Sequence, residues 1–157
     1  MIFTLVNYST TYQVNQKPYT IFQFIENQHL VKSPLPFQQN AFNLVVNLLH
    51  NDPLTMQFYL DRAWRGDGIS ARYASTILIA EFIESHPGTS IQLRIRSNWV
   101  PVVFYCSLFV GMMVQWYRKE EMATYIIAIA LFIFLDISGK MRVKKNFEKL
   151  IIAAENN

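Results

Sequence analysis

The chain has 157 residues, 52% of them hydrophobic, a formal net charge of +3 and one cysteine. That length allows one modest soluble domain plus a membrane element. The small charge gives no reason to expect a nucleic-acid partner, and a lone thiol excludes an intrachain disulfide framework or a CxxC pair. The basic excess is local: the first 98 residues hold seven Lys/Arg against six Asp/Glu, whereas the chain from Lys140 onward holds five against two.

In chain order, Ile2 to Tyr8 alternates as a strand, and Thr10 to Val14 either continues it or forms a second short strand. Gln16-Lys17-Pro18 reads as a helix start with proline in the first turn. Ile21, Phe22, Ile25 and His29 fall on one helical face, which predicts an amphipathic helix of about 12 residues from Pro18. Pro34 and Pro36 end that pattern. Four β-like runs follow. Ala41 to Leu49 places Phe42, Leu44, Val46 and Leu48 on one face. Leu54 to Arg65 places Met56, Phe58 and Leu60 inward. Tyr73 to Glu84 is apolar on both faces around Ile77–Ile83, which predicts a central strand covered on both sides. Thr89 to Arg96 alternates Ile91, Leu93 and Ile95 with Gln92, Arg94 and Arg96. The turns at 50–53, 66–68 and 86–88 are short, so consecutive antiparallel pairing is expected. Residues 1–97 therefore read as a cytosolic α+β domain: a small antiparallel meander sheet with one packed helix.

Residues 98–139 read as a transmembrane helical hairpin. Ser97 to Tyr117 carries no formal charge, Arg118-Lys119-Glu120-Glu121 makes the link, and Met122 to Leu135 is again uncharged. About 20 apolar residues match a hydrocarbon core of roughly 30 Å. Trp99, Trp116 and Tyr117 stand where an interfacial aromatic belt is expected. The cations on either side predict an inner-membrane protein with two spans and both termini in the cytosol. The N-terminus has no basic region followed by a cleavage site, which agrees. Asn98 and Pro101 suit the start of the first span, so the domain should sit in a restricted pose.

Residues 140–157 read as a separate basic amphipathic tail. Val143, Phe147, Leu150, Ile151 and Ala154 share one helical face. Three placements fit: in the headgroup layer, against the strand domain, or against another protomer. Lys140, Arg142, Lys144 and Lys145 are candidate membrane-interface residues together with the three aromatics above.

Little chemistry stands out. His29, His50 and His86 lack metal-ligand spacing. Gly66-Asp67-Gly68 is too short for a phosphate loop and reads as a hairpin turn. Arg62, Trp64, Arg65 and Arg72 flank it as a solvated tip. Two carboxylates are candidate functional groups. Glu81 interrupts an apolar strand, and its simpler role is to face the polar side or pair with Arg94. Asp136 interrupts the second apolar run, and Lys140 four residues on offers it an ion pair. Cys106 reads as a packing residue. No catalytic constellation and no cofactor is indicated.

Gly88-Thr89, Ile91, Leu93, Ile95 and Arg96 form a GT-x-I-x-L-x-I-R hairpin that runs straight into the apolar stretch. From about Thr76 to Tyr117 this resembles small bacterial membrane proteins in which a β-rich cytosolic domain leads into a transmembrane hairpin. The resemblance implies that arrangement and no site residues. The expected function is non-enzymatic: an interaction domain held at the membrane as an accessory or scaffold subunit. Its partners would be the lipid bilayer and other membrane subunits or further copies of the chain. Two alternatives remain open: a ligand-sensing effector whose oligomerised hairpins perturb the bilayer, and a small lipid- or ligand-binding domain anchored there.

Overall fold

The computed structural model describes residues 8–28, 42, 44–60, 76–97, 99–118 and 123–157. The expected strand at Ile2–Tyr8, His29, the prolines at 34 and 36, and the turn with Arg62, Trp64, Arg65, Gly66, Asp67, Gly68 and Arg72 lie outside these residues, apart from Tyr8.

Alternation builds the sheet. Strands β1 (Tyr8–Val14), β2 (Leu44–Asn51), β3 (Leu54–Leu60), β4 (Thr76–Glu84) and β5 (Thr89–Ser97) pair antiparallel in the order β1-β5-β4-β3-β2. Strands β2 to β5 form the expected meander. β1 joins its far side, opposite β5, with Tyr12 across from Ile91 and Val14 across from Thr89. The apolar face carries Leu44, Val46, Met56, Phe58, Leu78, Ala80, Phe82, Ile91, Leu93 and Ile95, each nearly inaccessible. The pattern lapses at Leu48, which is exposed next to a register shift between Leu48 and His50. β4 is central, as its composition predicts, although its second face is only partly covered. On that face Val45 and Tyr59 bury each other as register partners.

Two helices close the apolar face. Helix α1 (Pro18–Asn27) has its proline at the first turn and buries Ile21 and Ile25. The larger cover is the second half of α3 (Ala123–Glu155), which buries Val143, Phe147, Leu150, Ile151 and Ala154. Phe147 meets Phe58 edge to face, with ring centroids 4.9 Å apart. These are the five residues that share a face in the sequence. Of the placements open to them, the one against the strand domain is the one seen.

The end points of this cover are fixed by hydrogen bonds. Ser97 at the end of β5 binds Asp136, and Gln16 Nε2 donates to the Glu155 carbonyl while Thr89 Oγ1 donates to the Gln16 carbonyl. Asp136 to Glu155 is about 28 Å of helix, and Ser97 back to Thr89 is about 27 Å of strand. The helix therefore runs antiparallel to β5 and matches its length.

The expectation of a transmembrane hairpin, and of a two-span protein of the inner membrane with cytosolic termini, is corrected here. Among the described residues no helix is long and apolar enough to cross a membrane. In α3 the uncharged part, Ala123 to Leu135, is 13 residues, or about 20 Å of helix, short of a core of roughly 30 Å. Beyond it, Asp136 and Lys140 are folded onto the sheet domain. Helix α2 (Trp99–Arg118) packs beside this first part of α3. The division between hairpin and tail is also absent from the backbone. Helix α3 is continuous through Ser138-Gly139, where a glycine costs only about 1 kcal/mol and the packing beyond it supplies far more.

Candidate functional site

Two features remain once the sheet and its cover are accounted for. One is the helical hairpin of α2 with the first half of α3. The other is a groove at its base.

Hairpin geometry follows from aromatic and small residues. Phe104 stacks on Phe132 with centroids 4.2 Å apart, and Tyr105 meets the same ring edge-on at 6.1 Å. A Cβ on Gly111 would lie 2.7 Å from Tyr125 Cε1, so the absence of a side chain lets the helices close there. Ser107 Oγ donates to the Val103 carbonyl within its own helix and offers no polar contact outward. The remaining surface is apolar. Phe109, Val110, Met113, Ile127, Leu131 and Phe134 are each about half exposed or more. Patches of this kind, beyond a few hundred Å², mark interaction surfaces.

At its base the hairpin is tied to the domain by a polar knot. Asp136 accepts from Ser97 Oγ at 3.0 and 3.1 Å and from Lys140 Nζ at 2.7 Å. Both charged side chains are largely buried, at 13% and 8% exposure. This is the i, i+4 pair expected from the sequence, with a strand serine added. The serine was not legible because its approach depends on how α3 crosses the sheet. One turn further along, Lys144 pairs with Glu148 at 3.7 Å, and Tyr12 of β1 donates its hydroxyl to Glu148 at 2.5 Å. The same helix edge thus carries alternating charges, each carboxylate held by a lysine and by a hydroxyl from the sheet. Tyr105 lies close enough to feel this charge. Burial pushes its phenol pKa above the usual 10.0, and the Asp136 carboxylate pushes it further the same way.

The groove lies between β5 and this edge of α3. It has a volume of about 600 Å³ and is lined by Ile95, Ile137, Met141, Lys140, Lys144, Lys145 and Glu148. Its lining is mostly apolar, and the lysine stems extend that apolar wall.

The other candidates from the sequence are scattered. Trp116 and Tyr117 are exposed at the far end of α2, apart from Lys140, Lys144 and Lys145 at the groove, whereas Trp99 begins that helix. Arg142 is exposed on α3. Glu81 faces Gln92 on β5 and Thr55 on β3, whereas Arg94 lies opposite Ile79, so the register does not bring Glu81 and Arg94 face to face. His50 lies on β2 and His86 in the β4–β5 turn. Among the described residues no three His, Cys, Asp or Glu side chains are grouped to hold a metal ion. Cys106 is exposed on α2.

Comparison with known proteins finds no matching family, no matching curated protein and no matching solved structure.

Proposed function

We propose that this chain is a non-enzymatic interaction subunit, whose α+β domain holds the apolar α2–α3 hairpin in a fixed pose so that it docks against apolar helices of partner subunits in a larger assembly. One observation carries the reading. A hairpin with Phe109, Val110, Ile127, Leu131 and Phe134 exposed is joined to a well-packed domain by a continuous helix and by the Ser97–Asp136–Lys140 knot. A flexible tether would leave the orientation of such a surface unset. The rigid joint fixes it, which matters where several subunits must meet in register.

Native mass measurement of the full chain purified gently from its source cells tests this. The wild type is expected as a complex with other subunits or with further copies of itself. A variant carrying Val110→Ser, Ile127→Ser and Leu131→Ser is expected as a folded monomer with unchanged circular dichroism. A wild type that is monomeric at micromolar concentration without detergent would overturn the proposal. So would a wild type that floats with lipid vesicles while carrying no protein partner, since lipid would then be what covers the hairpin.

A further inference from the structure

We infer that the groove between β5 and α3 is a binding site for a single-chain amphiphile with an anionic head, of the long-chain carboxylate class. Its volume of about 600 Å³ lies within the usual range for small-molecule sites, roughly 300–1,000 Å³. Ile95 forms the inner wall at 2% exposure, while Ile137 and Met141, at 42% and 67%, line the open side. An acyl chain laid along this floor would cover apolar surface that the fold leaves in contact with water.

Charge at the rim selects the head. Three lysines line the groove against one carboxylate, Glu148. Glu148 is already engaged by Lys144 and by the Tyr12 hydroxyl. Asp136, just outside, is engaged by Lys140 and Ser97. Once each carboxylate is matched with its lysine, Lys145 is the surplus cation. It is exposed on the rim, and among the described residues no carboxylate is paired with it. A carboxylate head would accept a charge-assisted hydrogen bond there, with the tail on the Ile137–Met141 floor. A cationic head would meet the net positive rim, and an uncharged head would leave Lys145 without a partner. This site is separate from the exposed hairpin surface, so it stands or falls independently of the subunit proposal.

Titration of the full chain with dodecanoate, followed by calorimetry at low ionic strength, is the test. One saturable site per chain is expected. Lys145→Glu should weaken it about tenfold, the loss of one charge-assisted contact, and Met141→Arg should weaken it by obstructing the floor. Dodecanol should bind at least tenfold more weakly than dodecanoate. The hairpin variant Val110→Ser/Ile127→Ser/Leu131→Ser should bind dodecanoate as the wild type does. Loss of binding in that hairpin variant would overturn the inference, because it would locate the ligand on the exposed helices. Equal affinity for dodecanol, an unchanged affinity in Lys145→Glu, or no saturable binding up to millimolar dodecanoate would each overturn it as well.

Discussion

The two halves of helix α3 both carry large apolar side chains, and their fates are opposite. From Ala123 to Leu135 the helix leaves Ile126, Ile127, Leu131, Phe134 and Leu135 exposed, and from Val143 to Ala154 it buries Val143, Phe147, Leu150, Ile151 and Ala154. The first half is uncharged, whereas the second carries Lys144, Lys145, Glu148 and Lys149. The second half gathers most of its apolar residues on one face, Ile152 apart, and meets a sheet face of matching length. The first half is apolar nearly all round and, among the described residues, has only α2 packed along it, so much of its surface is exposed. A helix with one apolar stripe can be satisfied by one partner surface, whereas a helix apolar all round needs several. The domain is thus complete by itself on one side of Asp136 and incomplete on the other.

Substitutions along α3 should expose that boundary. The largest effect is expected at Phe147→Ala, which empties a fully buried site against Phe58 and should cost about 3–5 kcal/mol in a denaturant titration. Phe134→Ser, at a site 67% exposed, should move stability by less than about 0.5 kcal/mol while reducing association. If Phe134→Ser proved as costly as Phe147→Ala, the contrast between the halves would be lost.

Asp136→Asn tests the joint itself. It retains an acceptor for Ser97 but leaves the 7%-exposed Lys140 without its counter-charge, which should destabilise by about 3 kcal/mol. Pairing it with Lys140→Met should recover most of that loss. A single variant as stable as the wild type would mean that the knot positions nothing.

Gly88→Ala probes the opposite end of the sheet. A Cβ there would sit 2.0 Å from the Val14 carbonyl oxygen. Neither backbone can yield without disturbing the β1–β5 pairing, so a loss of about 1–3 kcal/mol is expected. The hairpin's association should be unchanged, since this turn is remote from it.

The smallest effect concerns pH. The folded-state pKa of Tyr105 is raised above its ordinary value, by burial first and by Asp136 second. The folded state then holds this proton more tightly than the unfolded state does. The corresponding stability is fully present below pH 10 and is lost as pH rises through the folded pKa. Unfolding scans between pH 9 and 11 should show this decline in the wild type and a shallower one in Tyr105→Phe.

Much of the domain was legible because its signals are local. Alternation at Leu44/Val46, Met56/Phe58 and Ile91/Leu93/Ile95 is enough to assign strands and their inner faces, and Pro18 with Ile21 and Ile25 is enough for α1. The spacing of Val143, Phe147, Leu150, Ile151 and Ala154 identified an amphipathic face but could not say what it faces. The division at residues 139 and 140 had the same limit, since one helix runs through Ser138-Gly139. Local propensity disfavours a helix there, and the decision rested with packing more than ten residues away. The candidate groove was not legible at all, since Ile95 and Lys145 are brought together only by the path of α3 across the sheet.

By itself, then, the sequence determined the strands, the two amphipathic helical faces and the Asp136–Lys140 pair, because each depends on residues within a turn or a strand of one another. Tertiary structure alone decided that β1 joins β5 and that α3 is one helix shared between domain and hairpin. Those outcomes depend on which surfaces meet. A strand edge, a helix face and a buried ion pair are worth something only once their partners are in place.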